Sequence, residues 1–160
     1  MWFVCYCEPR KTLSLVGALA ERGRQVECPS FRFRRRLPRK NKTHEIERPL
    51  IGGIFFCHER SWPLGSGLLC GVELGEIRRM LWMNKPAKVS DKELERLRAV
   101  SRSRTISRTK FSRGDRVIVD VGPFKGAIGI VADKERGQLI LHVENMSLPL
   151  KCSPVLVRKE

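Results

Sequence analysis

Long apolar stretches are missing from this sequence of 160 residues. No run approaches the roughly 20 apolar residues that a membrane-spanning helix needs. The apolar opening, 1–7, is followed at once by Glu8, Pro9 and Arg10. The sequence therefore predicts neither a transmembrane helix nor a secretory signal, and we expect a cytoplasmic protein without a membrane partner.

Cysteines at metal-binding spacing are also lacking. There is no C-x-x-C pair, and Cys5-x-Cys7 with Cys57-His58 does not have the spacing of a zinc knuckle. Five of the six cysteines lie in apolar or strand-like runs, which is typical of reduced thiols that pack as small hydrophobic side chains. We expect no bound metal and no cofactor. The six are Cys5, Cys7, Cys28, Cys57, Cys70 and Cys152.

Catalytic motifs are absent as well. The sequence contains neither a phosphate-binding P-loop nor G-x-G-x-x-G. Its acidic residues are scattered, and His44, His58 and His142 are isolated from any nucleophile with a base beside it. The sequence thus predicts a binding protein and not an enzyme.

Acidic residues are few beside the basic ones: 17 Asp and Glu stand against 32 Lys and Arg, a net charge of +15. Such an excess indicates a polyanionic partner. Phosphate contact is favoured over base stacking, because few aromatic residues interleave the cations, and a merely solvated basic surface is the alternative. The predicted nucleic-acid-binding residues are Arg10, Lys11, Arg22, Arg24, Arg34, Arg35, Arg36, Arg39 and Lys40.

The chain divides into two domains. Residues 101–110 contain four basic residues, no acidic residue and one apolar residue, a composition typical of a flexible, solvated linker. It separates a first domain, 1–100, from a second, 111–160.

Hydrophobic spacing predicts an α+β fold for the first domain, an antiparallel sheet flanked by helices. Strands are expected over 2–7, 26–33 and 46–57, with a basic hairpin tip or loop between the last two. A first helix carries Leu13, Val16, Leu19 and Ala20 on one face and closes at Gly23. Further helices are expected over 73–81 and 91–100, the latter with Ser90 and Glu93 at capping-box spacing.

The last fifty residues change to the period of two that marks strands. Apolar residues alternate along three segments joined at glycines, so we expect a small all-β barrel, β throughout and tethered flexibly to the first domain. Whether it docks on that domain stays open from sequence alone. The alternating residues are Val117, Val119, Val121, Ile128, Ile130, Leu139, Leu141 and Val143.

The segment 111–131 resembles the KOW motif of the NusG family of bacterial transcription elongation factors. The residues that carry this likeness are Gly122, Pro123, Phe124, Lys125, Gly126 and Gly129. Segments 2–7, 49–56, 61–64 and 86–94 are similar, in the same order, to parts of that family's N-terminal (NGN) domain. The Tyr6-Cys7 pair and the compact segment 26–29 look most like the specialised paralogues of the RfaH type.

This resemblance implies a factor that binds the clamp helices of bacterial RNA polymerase and the non-template DNA strand or the nascent RNA. It would raise processivity and act in antitermination or antipausing. Its polymerase-binding residues would be Phe3, Tyr6, Ile51, Ile54 and Trp62. A ribosomal protein or another Nus factor is a further partner to be expected of the KOW domain.

Two other functions stay open from sequence alone. One is a NusG paralogue that promotes pausing or termination, and the other is a ribosome-associated KOW protein that binds RNA. The family's aromatic, proline and second aromatic at the clamp-facing segment are replaced here by Ile51, Gly52 and Ile54. This departure points to weaker clamp binding or to a polymerase with a different clamp.

Overall fold

A computed structural model describes residues 1–37, 42–103 and 110–160. The first part of the chain supplies eleven strands and both α-helices of these ranges, the second part five strands. In chain order the first part contains β1 (Trp2–Tyr6), α1 (Thr12–Glu21), β2 (Val26–Glu27), β3 (Ser30–Leu37), β4 (Lys42–Pro49), β5 (Ile54–His58), β6 (Leu68–Leu69), β7 (Val72–Glu73), β8 (Arg78–Arg79), β9 (Leu81–Trp82), β10 (Lys85–Pro86), β11 (Lys88–Val89) and α2 (Asp91–Arg102). The second part contains β12 (Arg116–Val119), β13 (Ile128–Glu135), β14 (Gln138–Val143), β15 (Leu150–Cys152) and β16 (Val157–Lys159).

The main sheet of the first part is antiparallel, with strand order β11-β1-β5-β2 and with β8 also paired to β1. Its central strands are built from aromatic and β-branched residues, which favour a sheet buried on both faces. Because side chains alternate along a strand, Val4 and Phe56 point to one face and Cys5 and Phe55 to the other. This confirms the predicted α+β sheet.

Each helix covers one face of the main sheet. α1 packs Leu15, Val16 and Leu19 against the face that contains Cys5 and Phe55, so the predicted helix is confirmed. The buried face of α1 differs from the predicted one, because Leu13 is only half-buried and Ala20 is exposed.

The second helix, α2, packs against the opposite face of the main sheet. It begins where its sequence predicts. The Ser90 hydroxyl accepts a hydrogen bond from the Glu93 amide, and the Glu93 carboxylate accepts one from the Ser90 amide, so the capping box is confirmed. Leu94 and Leu97 are buried as expected. The helix runs to Arg102, past the predicted end at residue 100.

Three predicted elements differ from the structure. The strand expected over 26–33 is two strands in different sheets, because β2 pairs with β5 whereas β3 pairs with β4. The strand expected over 46–57 likewise breaks between β4 and β5. The helix expected over 73–81 is wrong: the segment forms β7, a single 3-10 turn over Leu74–Glu76, β8 and the start of β9.

The C-terminal strands form one antiparallel sheet in the order β15-β14-β13-β12-β16. Val117, Val119, Leu139, Leu141 and Val143 are buried, as their alternation predicts, whereas Ile130 is exposed. Within the described ranges the edge strands β15 and β16 do not pair with each other. The all-β character is therefore present, and the closed barrel is not confirmed.

Most of the predicted linker, 104–109, lies outside the described residues. The two parts of the chain nevertheless meet, since one hydrophobic core contains residues of the main sheet, of α2 and of the C-terminal sheet. Sequence alone left docking open, and in the structure the C-terminal sheet packs on the first part of the chain. No helix within the described residues is long and apolar enough to span a membrane.

Candidate functional site

The five predicted polymerase-binding residues do not form one patch. β1 sends Tyr6 to the sheet face that α2 and the C-terminal sheet cover, together with Ile51 and Ile54. It sends Phe3 to the opposite face, beside α1, where Trp62 also packs. The structure therefore brings three of the five together and separates the other two.

Ile51 and Ile54 are 5% and 3% exposed, and Tyr6 is half-buried beside them. The turn that precedes β5 holds them in place. Gly53 in this turn has φ of +77°, and a Cβ there would lie 2.7 Å from Tyr6 Cε2 and 2.8 Å from the Cys7 carbonyl oxygen. Only glycine fits so close to the Tyr6 ring.

Backbone hydrogen bonds join this turn to the C-terminal sheet. The Gly52 amide donates to the Lys151 carbonyl at 2.6 Å, and the Ser153 amide donates to the Leu50 carbonyl at 2.7 Å. Between them, Ile51 and Cys152 form an antiparallel bridge. The contact thus continues a sheet edge from one part of the chain to the other, and it covers Ile51.

Side chains extend this contact on either side. The Gln138 amide nitrogen donates to the Pro49 carbonyl at 2.8 Å, although Gln138 is itself buried. The rings of Trp82 and Phe124 meet edge to face with centroids 5.9 Å apart. Satisfied polar atoms and aromatic packing both stabilise the docked arrangement. The surface formed by Tyr6, Ile51 and Ile54 is called the covered face below.

The loop that resembles a KOW motif lies against the first part of the chain. Gly122 and Gly126 have φ of +99° and +86°, and the Gly126 amide closes the loop on the Val119 carbonyl at 2.7 Å. Phe124 is fully buried at the loop's centre, while Lys125 is exposed. Gly129 lies in β13, where a Cβ would approach the His142 carbonyl oxygen to 3.1 Å. Pro123 is half-buried.

Phe3 and Trp62 form a second aromatic group. Their ring centroids are 6.0 Å apart, and the Arg79 guanidinium lies 4.8 Å from the Phe3 centroid and 5.4 Å from that of Trp62. Lys88 Nζ lies 4.9 Å from the Phe3 centroid. Phe3 is buried and Trp62 is half-buried, so cation–π contacts hold both rings within the first part of the chain.

The basic hairpin is a separate two-stranded sheet of β3 and β4. Arg34 is exposed, and Arg35 and Arg36 lie in β3 opposite His44 and Thr43. The sequence placed these residues in a hairpin tip, but they belong to the strand itself. Arg39 and Lys40 lie outside the described residues.

The predicted cations beside α1 differ in their surroundings. Arg10 and Arg22 are exposed. Lys11 Nζ donates to the Gly71 carbonyl at 2.8 Å and lies 3.1 Å from Glu8 Oε2. Arg24 donates to the Ser61 carbonyl at 3.5 Å. Lys11 and Arg24 thus already contact groups of this chain, whereas Arg10 and Arg22 are exposed.

A cleft of about 420 Å³ opens where the two parts meet, and the sequence did not predict it. It is lined by charged side chains of both signs from the segment before α1, from β4, from the β13–β14 hairpin and from β15. Lys151 Nζ lies 2.8 Å from Glu135 Oε2, and this contact holds the pKa of the Glu135 carboxyl below its usual range. No local motif could have signalled this cleft, because its walls are far apart in the sequence. The charged lining residues are Glu8, Arg10, Glu47, Arg48, Glu135, Arg136 and Lys151.

The cysteines are six separate thiols. Burial raises the pKa of Cys57 to about 11 and that of Cys28 and Cys152 to about 12, so these sulfurs stay protonated and poorly nucleophilic. In the part of the chain that the structure describes, no three His, Cys, Asp or Glu side chains could hold a metal ion.

No protein-family model matches this chain, and no curated protein matches it. Among solved structures, it is similar to Thermotoga maritima NusG, from a study of that protein's domain interaction, with 15% identity, 99% of this chain and 96% of that one covered, and a TM-score of 0.38. It is also similar to a chain of the MjSpt4:Spt5 complex in two conformations. Conformation B gives 14% identity, coverage of 99% and 96%, and a TM-score of 0.32. Conformation A gives 16% identity, coverage of 100% and 98%, and a TM-score of 0.30.

Proposed function

We propose that this chain is a transcription elongation factor of the NusG type, a specialised paralogue that acts without catalysis in the cytoplasm. It binds the clamp helices of bacterial RNA polymerase and the nucleic acid beside them, and it raises processivity in antitermination or antipausing. The sequence motifs of both parts of the chain, in the order in which they occur, support this proposal.

One structural observation carries it furthest: the first part of the chain combines an apolar sheet face with a strongly basic hairpin. Tyr6, Ile51 and Ile54 supply the apolar face, and β3 with β4 supplies the hairpin. A protein that must hold an enzyme and the charged strands passing beside it needs both surfaces on one rigid unit.

Binding of polymerase through the covered face requires the C-terminal sheet to leave it. The contact that must open contains the hydrogen bonds of Gly52 and Ser153 and the buried Ile51 side chain. Clamp binding therefore competes with docking. The observed association constant is the intrinsic association constant multiplied by the fraction of molecules that are undocked.

The direct test is transcription in vitro across a terminator, with and without the protein. Increased read-through supports antitermination, increased termination supports the opposite paralogue, and no effect contradicts both. The variant R34A/R35A/R36A removes three cations from β3 and should reduce the effect, because the hairpin would lose contacts to the polyanion.

Co-purification separates the remaining alternative. The protein should retain RNA polymerase subunits on an affinity resin at moderate salt. Recovery of ribosomal RNA without polymerase would favour the ribosome-associated function and contradict the proposal.

A further inference from the structure

The C-terminal sheet has one face toward the hydrophobic core and one face toward solvent. Val117, Val131 and Leu141 point inward and are fully buried in the core that is shared with the first part of the chain. Because side chains alternate along a strand, the residues next to them in sequence point outward. The solvent-facing side of an antiparallel sheet is ordinarily polar. Here it contains four isoleucines, called the isoleucine face below: Ile118, Ile128, Ile130 and Ile140.

The register of the sheet makes these four residues neighbours. Ile118 lies directly opposite Ile128 in the pairing of β12 with β13. Ile130 is the next outward-facing residue of β13, and it lies opposite His142 of β14. Ile140 is the outward-facing residue before His142, so it is the diagonal neighbour of Ile130. A continuous apolar stripe therefore crosses three strands of the sheet.

The isoleucine face stays accessible while the two parts of the chain are docked. Ile130 is 49% exposed, and the other three isoleucines are half-buried. Within the described residues, none of the four packs in either hydrophobic core. The docking contact uses the other side of the sheet, where Cys152 pairs with Ile51. Contiguous apolar side chains on an accessible surface are typical of a protein–protein contact.

The cations that border the isoleucine face already have carboxylate partners. Arg116 and Arg158 flank the isoleucines in the register. Arg116 Nε lies 2.7 Å from Glu160 Oε2, and Arg158 Nε lies 2.9 Å from Asp120 Oδ1. These ion pairs leave the border nearly neutral, which disfavours nucleic acid as the ligand of this face, since phosphate binding depends on an excess of cations.

The distribution of charge along the chain favours self-association at this face. Residues 1–110 contain 24 basic and 11 acidic side chains, whereas residues 111–160 contain eight and six. The second part thus has a net charge of only +2, so two copies that meet through it repel each other least. A two-fold axis also brings the same border to both sides of the contact, where each ion pair can face groups of opposite sign.

We propose that the isoleucine face binds a second copy of this chain, in a dimer with a two-fold axis. The inference goes beyond the proposed function and does not depend on it, because the dimer uses neither the covered face nor the basic hairpin. The strongly basic first parts of both copies pack on the opposite side of the C-terminal sheet, so they lie away from the contact.

Sedimentation equilibrium of the full chain, over about a hundredfold range of concentration, measures this association. We expect a monomer–dimer equilibrium that persists or tightens at high salt, because salt screens the repulsion between two positively charged copies. The protein is first treated with nuclease, since nucleic acid could bridge two basic chains, and such bridging weakens in salt. A protein that stays monomeric over the whole range, or a dimer that is lost at high salt, would overturn the proposal.

The variant I118T/I130T tests which surface forms the dimer, because threonine keeps the branch at Cβ and thus the preference for a strand. The dissociation constant should rise about tenfold or more, since each dimer loses buried apolar surface at four positions. L68T/L81T is the control: Leu68 and Leu81 are 65% and 60% exposed on other strands, and the dissociation constant should not change. Equal effects of the two variants would rule out the isoleucine face.

Ile130→Lys and Ile130→Glu separate loss of the contact from loss of the fold. Each variant alone should dimerise more weakly than the wild type, because like charges then meet across the contact. An equimolar mixture should dimerise about threefold more tightly than either variant alone, since lysine and glutamate attract each other. Two misfolded proteins would not rescue each other in this way. A mixture that associates no more tightly than its components contradicts a contact between two isoleucine faces.

Discussion

Cys152 lies in the contact between the two parts of the chain, and its buried thiol has a raised pKa. Its side chain is 1% exposed and its backbone pairs with Ile51. Burial raises its pKa from the usual value near 9 to about 12. The folded protein therefore holds this proton more tightly than the unfolded chain, so the stabilisation is complete below pH 9 and is lost as pH rises from 9 towards 12.

Cys152→Ala should remove this titration. The fall in free energy of unfolding between pH 9 and pH 11 should become shallower by up to about 1.4 kcal/mol per pH unit, as measured by urea denaturation at each pH. Cys70→Ala removes an exposed thiol and controls for the loss of a cysteine as such. A Cys152→Ala protein with the wild-type slope would contradict the burial of the thiol.

Arg98 ties α2 to the main sheet through a two-pronged contact. Its Nε lies 2.8 Å from Glu27 Oε2, its Nη2 also contacts Glu27 Oε1, and its Nη1 lies 2.7 Å from Glu95 Oε2. Arg98→Lys keeps the charge but loses the fork geometry, so the free energy of unfolding should fall by about 1 kcal/mol. Arg102→Lys is the control on the same helix, because Arg102 is 74% exposed, and it should have almost no effect in urea denaturation. Equal effects for the two would contradict a special role for Arg98.

At the scale of the element, α2 depends on its first turn. The capping box of Ser90 and Glu93 satisfies amides that a helix start leaves unpaired. Ser90→Ala should therefore lower stability by about 1 kcal/mol, within the roughly 0.5–2 kcal/mol typical of such caps, with a fall in Tm of about 2–4 °C. Ser103→Ala, at the other end of α2, should cost less than half as much. Thermal denaturation followed by circular dichroism measures both.

Elements with complete local signals could be predicted, and elements fixed by distant partners could not. α2 has both a cap and a buried stripe in its own sequence, and β1 is a short apolar run rich in aromatic residues. The segment 73–81 has apolar residues at helical spacing, Leu74, Ile77 and Leu81, but Arg78 and Arg79 pair with β1. Tertiary pairing therefore overrides the local period there. The break after Glu27 is of the same kind, since β2 is held by β5 alone.

At the scale of the whole molecule, the candidate site could be predicted only in part from the sequence. The sequence identified each apolar residue of the site but not which of them lie together. Strand alternation puts Phe3 on the opposite face from Tyr6. Packing of the C-terminal sheet on Ile51 could not be predicted, because the contact uses backbone groups of Leu50, Gly52 and Lys151. Main-chain hydrogen bonds of this kind can form with almost any residue type, so the sequence does not indicate them.

Gly52→Ala tests whether docking limits polymerase binding. A Cβ at Gly52 would lie 2.9 Å from Lys151 Cβ, so the two parts must move apart, at a cost of about 1–3 kcal/mol for overpacking. If the undocked form binds polymerase, its larger population should raise the apparent affinity by about 5- to 150-fold. Gly75→Ala is the matched control, since its Cβ would meet nothing within 4 Å.

The two variants are compared by polymerase titration and by amide chemical shifts of Leu50 and Ser153, whose hydrogen bond reports docking. Loss of the docked shifts with a rise in affinity in Gly52→Ala alone means that the covered face is the polymerase-binding surface. Loss of those shifts with unchanged affinity means that polymerase is bound elsewhere, and Phe3 and Trp62 on the other face become the residues to replace. Competition for one apolar face is thus separable from binding elsewhere, because only competition makes the affinity for polymerase rise when the contact between Gly52 and Lys151 opens.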